Sequence, residues 1–158
     1  MERVMVDCRR ISKTFIDRKR GEVRAVDGIE FQARAGEVFG LLGVNGAGKT
    51  TTLRLLATLL RPDSGDALIA GHSIVGQPER VRASIGFLTA STGLYGRLTV
   101  DELLDYFGRL HGMTPERLVQ SKRRLYERFD MGSFASRRCD RLSAGMKQKV
   151  SIARAVIH

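Results

Sequence analysis

Eight residues, Gly43-Val-Asn-Gly-Ala-Gly-Lys-Thr50, constrain this chain more than any other feature. They fit the pattern G-x-x-x-x-G-K-[ST], which has meaning only with a strand before it and a helix after it. Both flanks are legible. Glu37-Val-Phe-Gly-Leu-Leu42 is a short apolar run entering the glycines, the profile of a buried parallel strand. Downstream, Leu53, Leu56, Ala57 and Leu60 fall at i, i+3, i+4 and i+7, one apolar helical face, and Arg61-Pro-Asp-Ser-Gly65 closes it with turn chemistry. Strand, glycine loop and helix in that order predict an α/β fold.

The loop's chemistry follows from its residues. Glycines at 43, 46 and 48 let the backbone bring N–H groups against phosphate oxygens where a Cβ would block approach. The helix N-terminus adds partial positive charge, and Lys49 supplies a full one for the β and γ groups of a polyphosphate. Thr50 offers a hydroxyl to Mg²⁺, and Thr51 offers one to the α-phosphate. The candidate nucleotide-binding set is therefore Gly43, Asn45, Gly46, Ala47, Gly48, Lys49, Thr50 and Thr51, with Thr50 as metal ligand. The competing reading is a glycine-rich turn with a surface lysine. The loop alone suits kinases, GTPases and transport ATPases equally, so the reaction has to be read elsewhere.

The rest of the chain supplies context. Met5 to Cys8 and Ala25 to Phe31 read as strands around a charged turn at 17–21, an antiparallel start; Ala67 to Ala70 and Ile85 to Leu88 are further strand candidates, with a short helix possible near Pro78. From Gly93 the pattern is helical. Thr99-Val-Asp-Glu102 is a capping box with Leu98 and Leu103 as its staple, and Leu103, Phe107 and Leu110 continue the face to Gly112. Thr114 and Pro115 open a second helix, whose face Leu118, Lys122, Leu125, Tyr126 and Phe129 carries one basic interruption. Ser143 caps a last helix with the stripe Met146, Val150, Ala153 and Ile157.

Composition excludes several classes. No apolar stretch approaches the ~20 residues of a membrane span, and the N-terminus reads as neither a secretory signal nor a transit peptide. Cys8 and Cys139 lack metal-ligand spacing and read as reduced structural thiols of a cytoplasmic protein. The net charge of +10 is concentrated in Arg18-Lys19-Arg20, Lys122-Arg123-Arg124 and Arg137-Arg138. Nucleic acid and an anionic membrane surface are both open readings, beside a plain solvated basic face.

Leu142-Ser-Ala-Gly-Met-Lys-Gln-Lys-Val-Ser-Ile-Ala-Arg-Ala155 decides between reaction classes, because here the chain resembles the ABC ATPase family at its signature motif. The resemblance implies that Leu142, Ser143, Ala144, Gly145 and Met146 cap a helix whose N-terminus meets the γ-phosphate of ATP held by a partner subunit. Ala144 replaces the usual glycine and Met146 the usual glutamine, which implies weaker trans contacts. Phe15 stands where the family has its adenine-stacking aromatic, with a core aromatic as the rival reading. Ala25-Val-Asp-Gly28, Gly36-Glu37, Pro62-Asp-Ser-Gly65, Gly71 and Leu94-Tyr95 extend the match along the chain. The family's Mg²⁺-touching glutamine is replaced by Thr89-Ala-Ser-Thr-Gly93, with Ser91 or Thr92 as stand-ins.

What the resemblance implies is an α/β P-loop NTPase (ABC ATPase) core, with an N-terminal antiparallel β portion and an inserted α-helical subdomain. Residues 1–91 and 141–158 form the core and 92–140 the helical subdomain. The cofactors are ATP and Mg²⁺. The partners are a second copy of the subunit, in a homodimer, and a separate membrane permease contacted through the helical subdomain and the 89–97 loop. The closest subfamily pattern is the sodium-export/ABC-2-type exporter, placed on the inner face of the cell membrane and coupling ATP hydrolysis to export of a sodium ion or drug. The family's Asp-Glu strand and downstream histidine would follow His158, so no catalytic residue is expected within this chain, which is read as C-terminally truncated and inactive alone. A soluble ABC ATPase acting on ribosome or DNA, or a non-hydrolysing regulator, are the alternatives; nucleic acid is not the expected partner.

Overall fold

The computed structural model describes residues 3–19, 21–89 and 93–158. It divides into two compact units, Met1–Ile85 and Gly86–His158.

The first unit is built on β1 (Val4–Asp17) and β2 (Gly21–Arg34), 14 residues each, which pair antiparallel with Asp17 opposite Gly21. β3 (Ser64–Ile69) pairs antiparallel with β1, and β4 (His72–Ser73) with β3, giving the order β2-β1-β3-β4. α1 (Lys49–Leu56) and the short α2 (Pro78–Ser84) complete it. Cys8, Ile11, Val26, Leu55, Ala67, Ile69, Ile74 and Val81 form its buried core. Burial pushes the Cys8 thiol up to about 11, as befits an inert structural cysteine.

Three expectations are corrected here. Glu37–Leu42 is not a strand: the segment is irregular, with Val38 and Leu42 exposed, though Phe39 stacks on Phe31 at 4.8 Å between ring centroids. A parallel strand is held by neighbours and covered on both faces, whereas every strand pair among the described residues is antiparallel and none borders this segment. Ile85–Leu88 forms no strand for the same reason. On α1 the expected face holds in part: Ala57 is buried and Leu56 and Leu60 pack against the core, but the helix ends at Leu56, Leu53 is 48% exposed, and Thr52 and Leu55 are the residues buried within the helix.

The second unit is helical: α3 (Val100–Leu110), α4 (Pro115–Phe129) and α5 (Ala144–Val156). Thr99 and Glu102 close both halves of the capping box, Thr99 N–H donating to Glu102 Oε2 at 2.8 Å and Glu102 N–H to Thr99 Oγ1 at 3.2 Å. Thr114 caps α4 with Pro115 in its first turn. Val100, Leu103, Leu104, Leu118, Leu125, Met131, Phe134, Val150, Ala153 and Ile157 share one core, each large aliphatic side chain contributing about 1.5–3 kcal/mol. Leu110, expected on the apolar face of α3, is exposed, and Leu104 takes its place in the core. Gly108 permits this packing, because a Cβ there would stand 2.4 Å from Leu118 Cδ1.

The basic interruption on α4 has a partner. Lys122, with a side chain 12% exposed, pairs with Asp101 at 2.9 Å and Asp105 at 2.6 Å, both on α3. The Tyr126 hydroxyl donates to the same Asp101 carboxylate. Burial opposes the charge on Asp101, yet the bonds from Tyr126 and Lys122 outweigh it and hold the carboxyl below its ordinary value. Burial likewise opposes the charge on Lys122, and the two aspartates raise it on balance. Thus one of the three basic clusters is partly a structural latch between helices. Among its neighbours, Arg123 pairs with Glu127.

Candidate nucleotide site

The glycine loop lies between the irregular Glu37–Leu42 segment and α1. Gly48 is the N-cap of α1, at φ 81° in the left-handed region, and no side chain caps the helix. The first turn holds no acidic residue, so its outward N–H groups and the positive end of the helix face an opening without a competing carboxylate. Gly48 is required for a second reason. A Cβ there would stand 2.1 Å from the Ala25 carbonyl oxygen of β2. The β1–β2 pairing slips between Lys13–Val26 and Thr14–Arg24, leaving Ala25 as the extra residue against the loop.

A cavity of about 240 Å³ opens here, lined by Ala25, Asn45, Gly46, Ala47, Gly48, Lys49, Thr50 and Thr51. Seven of these are sequence candidates; Gly43 is not among the lining residues, and Ala25 is an addition that only the β2 bulge reveals. Lys49 Nζ donates to the carbonyls of Gly43 and Val44, each at 2.7 Å, folding the cation back over the loop. A donor-lined hollow with one ammonium and no carboxylate suits an anion of several oxygens. Among the described residues no three His, Cys, Asp or Glu side chains converge as a metal cage, so a hard cation here would be held by the Thr50 hydroxyl together with ligand oxygens.

Phe15 lies on β1, 39% exposed, opposite Val23 and two residues along β2 from Ala25; Lys13 Nζ stands 5.7 Å from its ring centroid. In the second unit Ser143 caps α5, its hydroxyl accepting the Met146 N–H at 3.3 Å. Ser143, Ala144 and Gly145 are exposed, Met146 half-buried and Leu142 buried. The turn thus presents a hydroxyl and free backbone while Leu142 anchors it. Ser91 and Thr92 lie outside the described residues, as does Arg20 of the first basic cluster. Sequence reasoning passed over Arg154, which lies buried on α5 and donates from Nη1 to the Gly93 carbonyl at 3.0 Å; a lone arginine in the apolar half of that helix was the available signal.

The glycine loop opens α1 as in the P-loop class, although the segment before it is not a strand, and the Ser-capped turn stands in the helical unit. The ABC transporter family matches residues 26–158, and the chain belongs to it. It is 44% identical over 98% of its length to the ABC transporter ATP-binding protein NatA of Bacillus subtilis, and 40% identical over 85% of its length to the doxorubicin resistance ATP-binding protein DrrA of Mycobacterium tuberculosis. It spans 61% and 40% of those relatives, respectively. A solved ATP-binding subunit of an ABC transporter superposes with a TM-score of 0.78 at 26% identity, covering 97% of this chain and 62% of that one. A dimeric bacterial ABC transporter cassette, MJ0796, matches in fold with a TM-score of 0.76, 24% identity and coverage of 97% and 69%. No helix among the described residues is long and apolar enough to cross a membrane.

Proposed function

We propose that this chain is the nucleotide-binding part of an ABC exporter's ATP-binding subunit. The carboxylate-free cradle from Asn45 to Thr51 at the start of α1 carries this reading. Lys49 leaves the Gly43 and Val44 carbonyls to meet the β and γ phosphates; Gly43, Gly46, Ala47 and Gly48 turn the backbone toward the oxygens; Asn45 and Thr51 border the triphosphate; Phe15 stacks on the adenine. Thr50 would hold Mg²⁺, which when bound neutralises charge on the transferring phosphoryl group. Leu142 to Met146 present the positive end of α5 to ATP held by a second copy. No residue of this chain is assigned as general base.

Residues 1–91 and 141–158 are proposed to belong to the P-loop core and 92–140 to an inserted helical subdomain. A homodimer closes over ATP and drives a separate membrane permease, from a peripheral position on the inner face of the cell membrane. The relatives named for doxorubicin and daunorubicin resistance support a drug as the cargo class.

Steady-state turnover of the complete subunit tests this reading. Turnover that requires Mg²⁺, rises per subunit with protein concentration and falls about tenfold or more in Ser143→Ala supports two copies sharing ATP. Turnover indifferent to concentration and to Ser143 contradicts it.

A further inference from the structure

β3 starts at Ser64, whose partner on β1 is Ser12. Past Ser12, the edge of β1 that faces β3 has no strand beside it among the described residues, and β1 and β2 run on as a two-stranded ribbon. Such a ribbon is marginally stable by itself, and the backbone groups on its open edge must find water or side chains. Asp63, between α1 and β3, meets them here. Its N–H donates to the Ser12 carbonyl at 3.0 Å and its carboxylate accepts the Thr14 N–H at 2.7 Å, so the ladder continues two positions beyond the strand. The same carboxylate accepts Lys13 Nζ at 2.6 Å. The Lys13 bond first, and then the Thr14 N–H, hold the Asp63 carboxyl below its ordinary value. An ion pair as open as this one contributes little by its charge alone, since the Asp63 side chain is 48% exposed. What it fixes is geometry. Lys13 Nζ stands 5.7 Å from the Phe15 ring centroid, within cation–π range, and Thr14 is joined directly to Phe15. On the opposite edge of β1, Lys13 pairs with Val26 and Thr14 with Arg24, around the Ala25 bulge that meets Gly48. Asp63 therefore ties β1 down at the level where the exposed aromatic and the glycine loop share one ribbon.

We propose that Asp63 is a positioning residue for the base of the nucleotide: by holding Lys13 and the Thr14 N–H it fixes Phe15 as a platform for the planar ring, without touching the ligand itself. This rests on the stacking role proposed for Phe15. A carboxylate suits the position because it accepts from the Lys13 ammonium and the Thr14 N–H at once, one through each oxygen. An amide oxygen at 63 could still accept the Thr14 N–H but would leave the ammonium without an opposite charge, and a methyl group would meet neither.

The test uses the complete ATP-binding subunit and compares its affinity for ATP with that for inorganic tripolyphosphate, both with Mg²⁺. The second ligand offers the glycine loop a triphosphate without a base. Asp63→Ala is expected to weaken ATP about fivefold, the scale of one aromatic contact, and to leave tripolyphosphate within about twofold. Asp63→Asn should show an intermediate loss of ATP affinity, because it keeps an acceptor for the Thr14 N–H. Phe15→Leu should weaken ATP without weakening tripolyphosphate, and adding Asp63→Ala to it should weaken ATP no further. An ATP-to-tripolyphosphate ratio in Asp63→Ala equal to that of wild type overturns the proposal, whether both ligands bind as before or both weaken together. Where Asp63→Ala does not fold, Asp63→Asn takes its place, and an unchanged ratio overturns the proposal in the same way. Phe15→Leu separates the underlying reading. If it leaves the ratio unchanged, the stacking role of Phe15 fails and the role of Asp63 with it; if it lowers the ratio while Asp63→Ala does not, only the role of Asp63 fails.

Discussion

Gly48 meets the backbone of Ala25 in a contact that only glycine at position 48 could make: a Cβ on Gly48 would stand 2.1 Å from the Ala25 carbonyl oxygen. The glycine loop is thereby seated on the bulge of β2, and the start of α1 is fixed against the β portion. Gly48→Ala combines this clash with a left-handed φ of 81°, so it is expected to lower ATP affinity at least about tenfold and to cost about 1–3 kcal/mol of stability. Gly46→Ala is the control, because its φ of 86° is strained but no atom lies within 4 Å of the added Cβ. Titration with a fluorescent ATP analogue and thermal melts should separate the two variants; equal effects would contradict the seating.

Thr50 lines the cavity at the first turn of α1. Thr50→Val keeps the shape and removes the hydroxyl, so the gain in ATP affinity on adding Mg²⁺ should shrink by about tenfold while affinity without Mg²⁺ barely changes. Paired titrations with and without the metal check this. An unchanged Mg²⁺ gain removes Thr50 from the metal's coordination.

The Lys122–Asp101–Tyr126 latch has a defined pH window. Asp101 is held below its ordinary carboxyl value, so its contribution is present above about pH 3.9 and is lost as pH falls through the lowered folded value. Lys122 is raised, so its contribution is present below about pH 10.4 and is lost as pH rises through the raised value. Asp101→Asn is expected to cost about 1–2 kcal/mol near neutrality, discounted because the carboxylate is partly exposed. The gap from wild type should close in acid, as read from urea melts at a series of pH values. A gap that persists at about pH 2, below the ordinary carboxyl range, would show a packing effect instead.

What the sequence discloses here is what is local. The capping box at Thr99–Glu102, the Ser143 and Thr114 caps and the glycine loop depend on residues a few positions apart, and each stands where its spacing places it. The latch joins residues 21 and 25 positions apart; only the lysine breaking the apolar face of α4 hinted that a carboxylate must face it. β1 and β2 extend well beyond the expected strands, because a two-stranded ribbon holds itself by backbone pairing even where its side chains are polar and exposed. Glu37–Leu42 shows the converse, an apolar run whose strand form depends on neighbours that local pattern cannot supply.

The phase of α3 gives a simple check on packing. Leu104 is fully buried and Leu110 is exposed, so Leu104→Ala should cost about 2–5 kcal/mol and Leu110→Ala less than about 0.5 kcal/mol. Denaturant midpoints at constant m-value decide it; similar costs would place the core on the other face of the helix.

The most direct measurement of the central claim is ATP–Mg²⁺ binding by wild type and Lys49→Ala, followed by isothermal titration. The expected result is saturable one-site binding that weakens at least about tenfold when the ammonium is removed, a loss of roughly 1.4 kcal/mol or more. No binding by the folded wild type, or equal affinity in Lys49→Ala, would contradict the assignment of this loop as the nucleotide site.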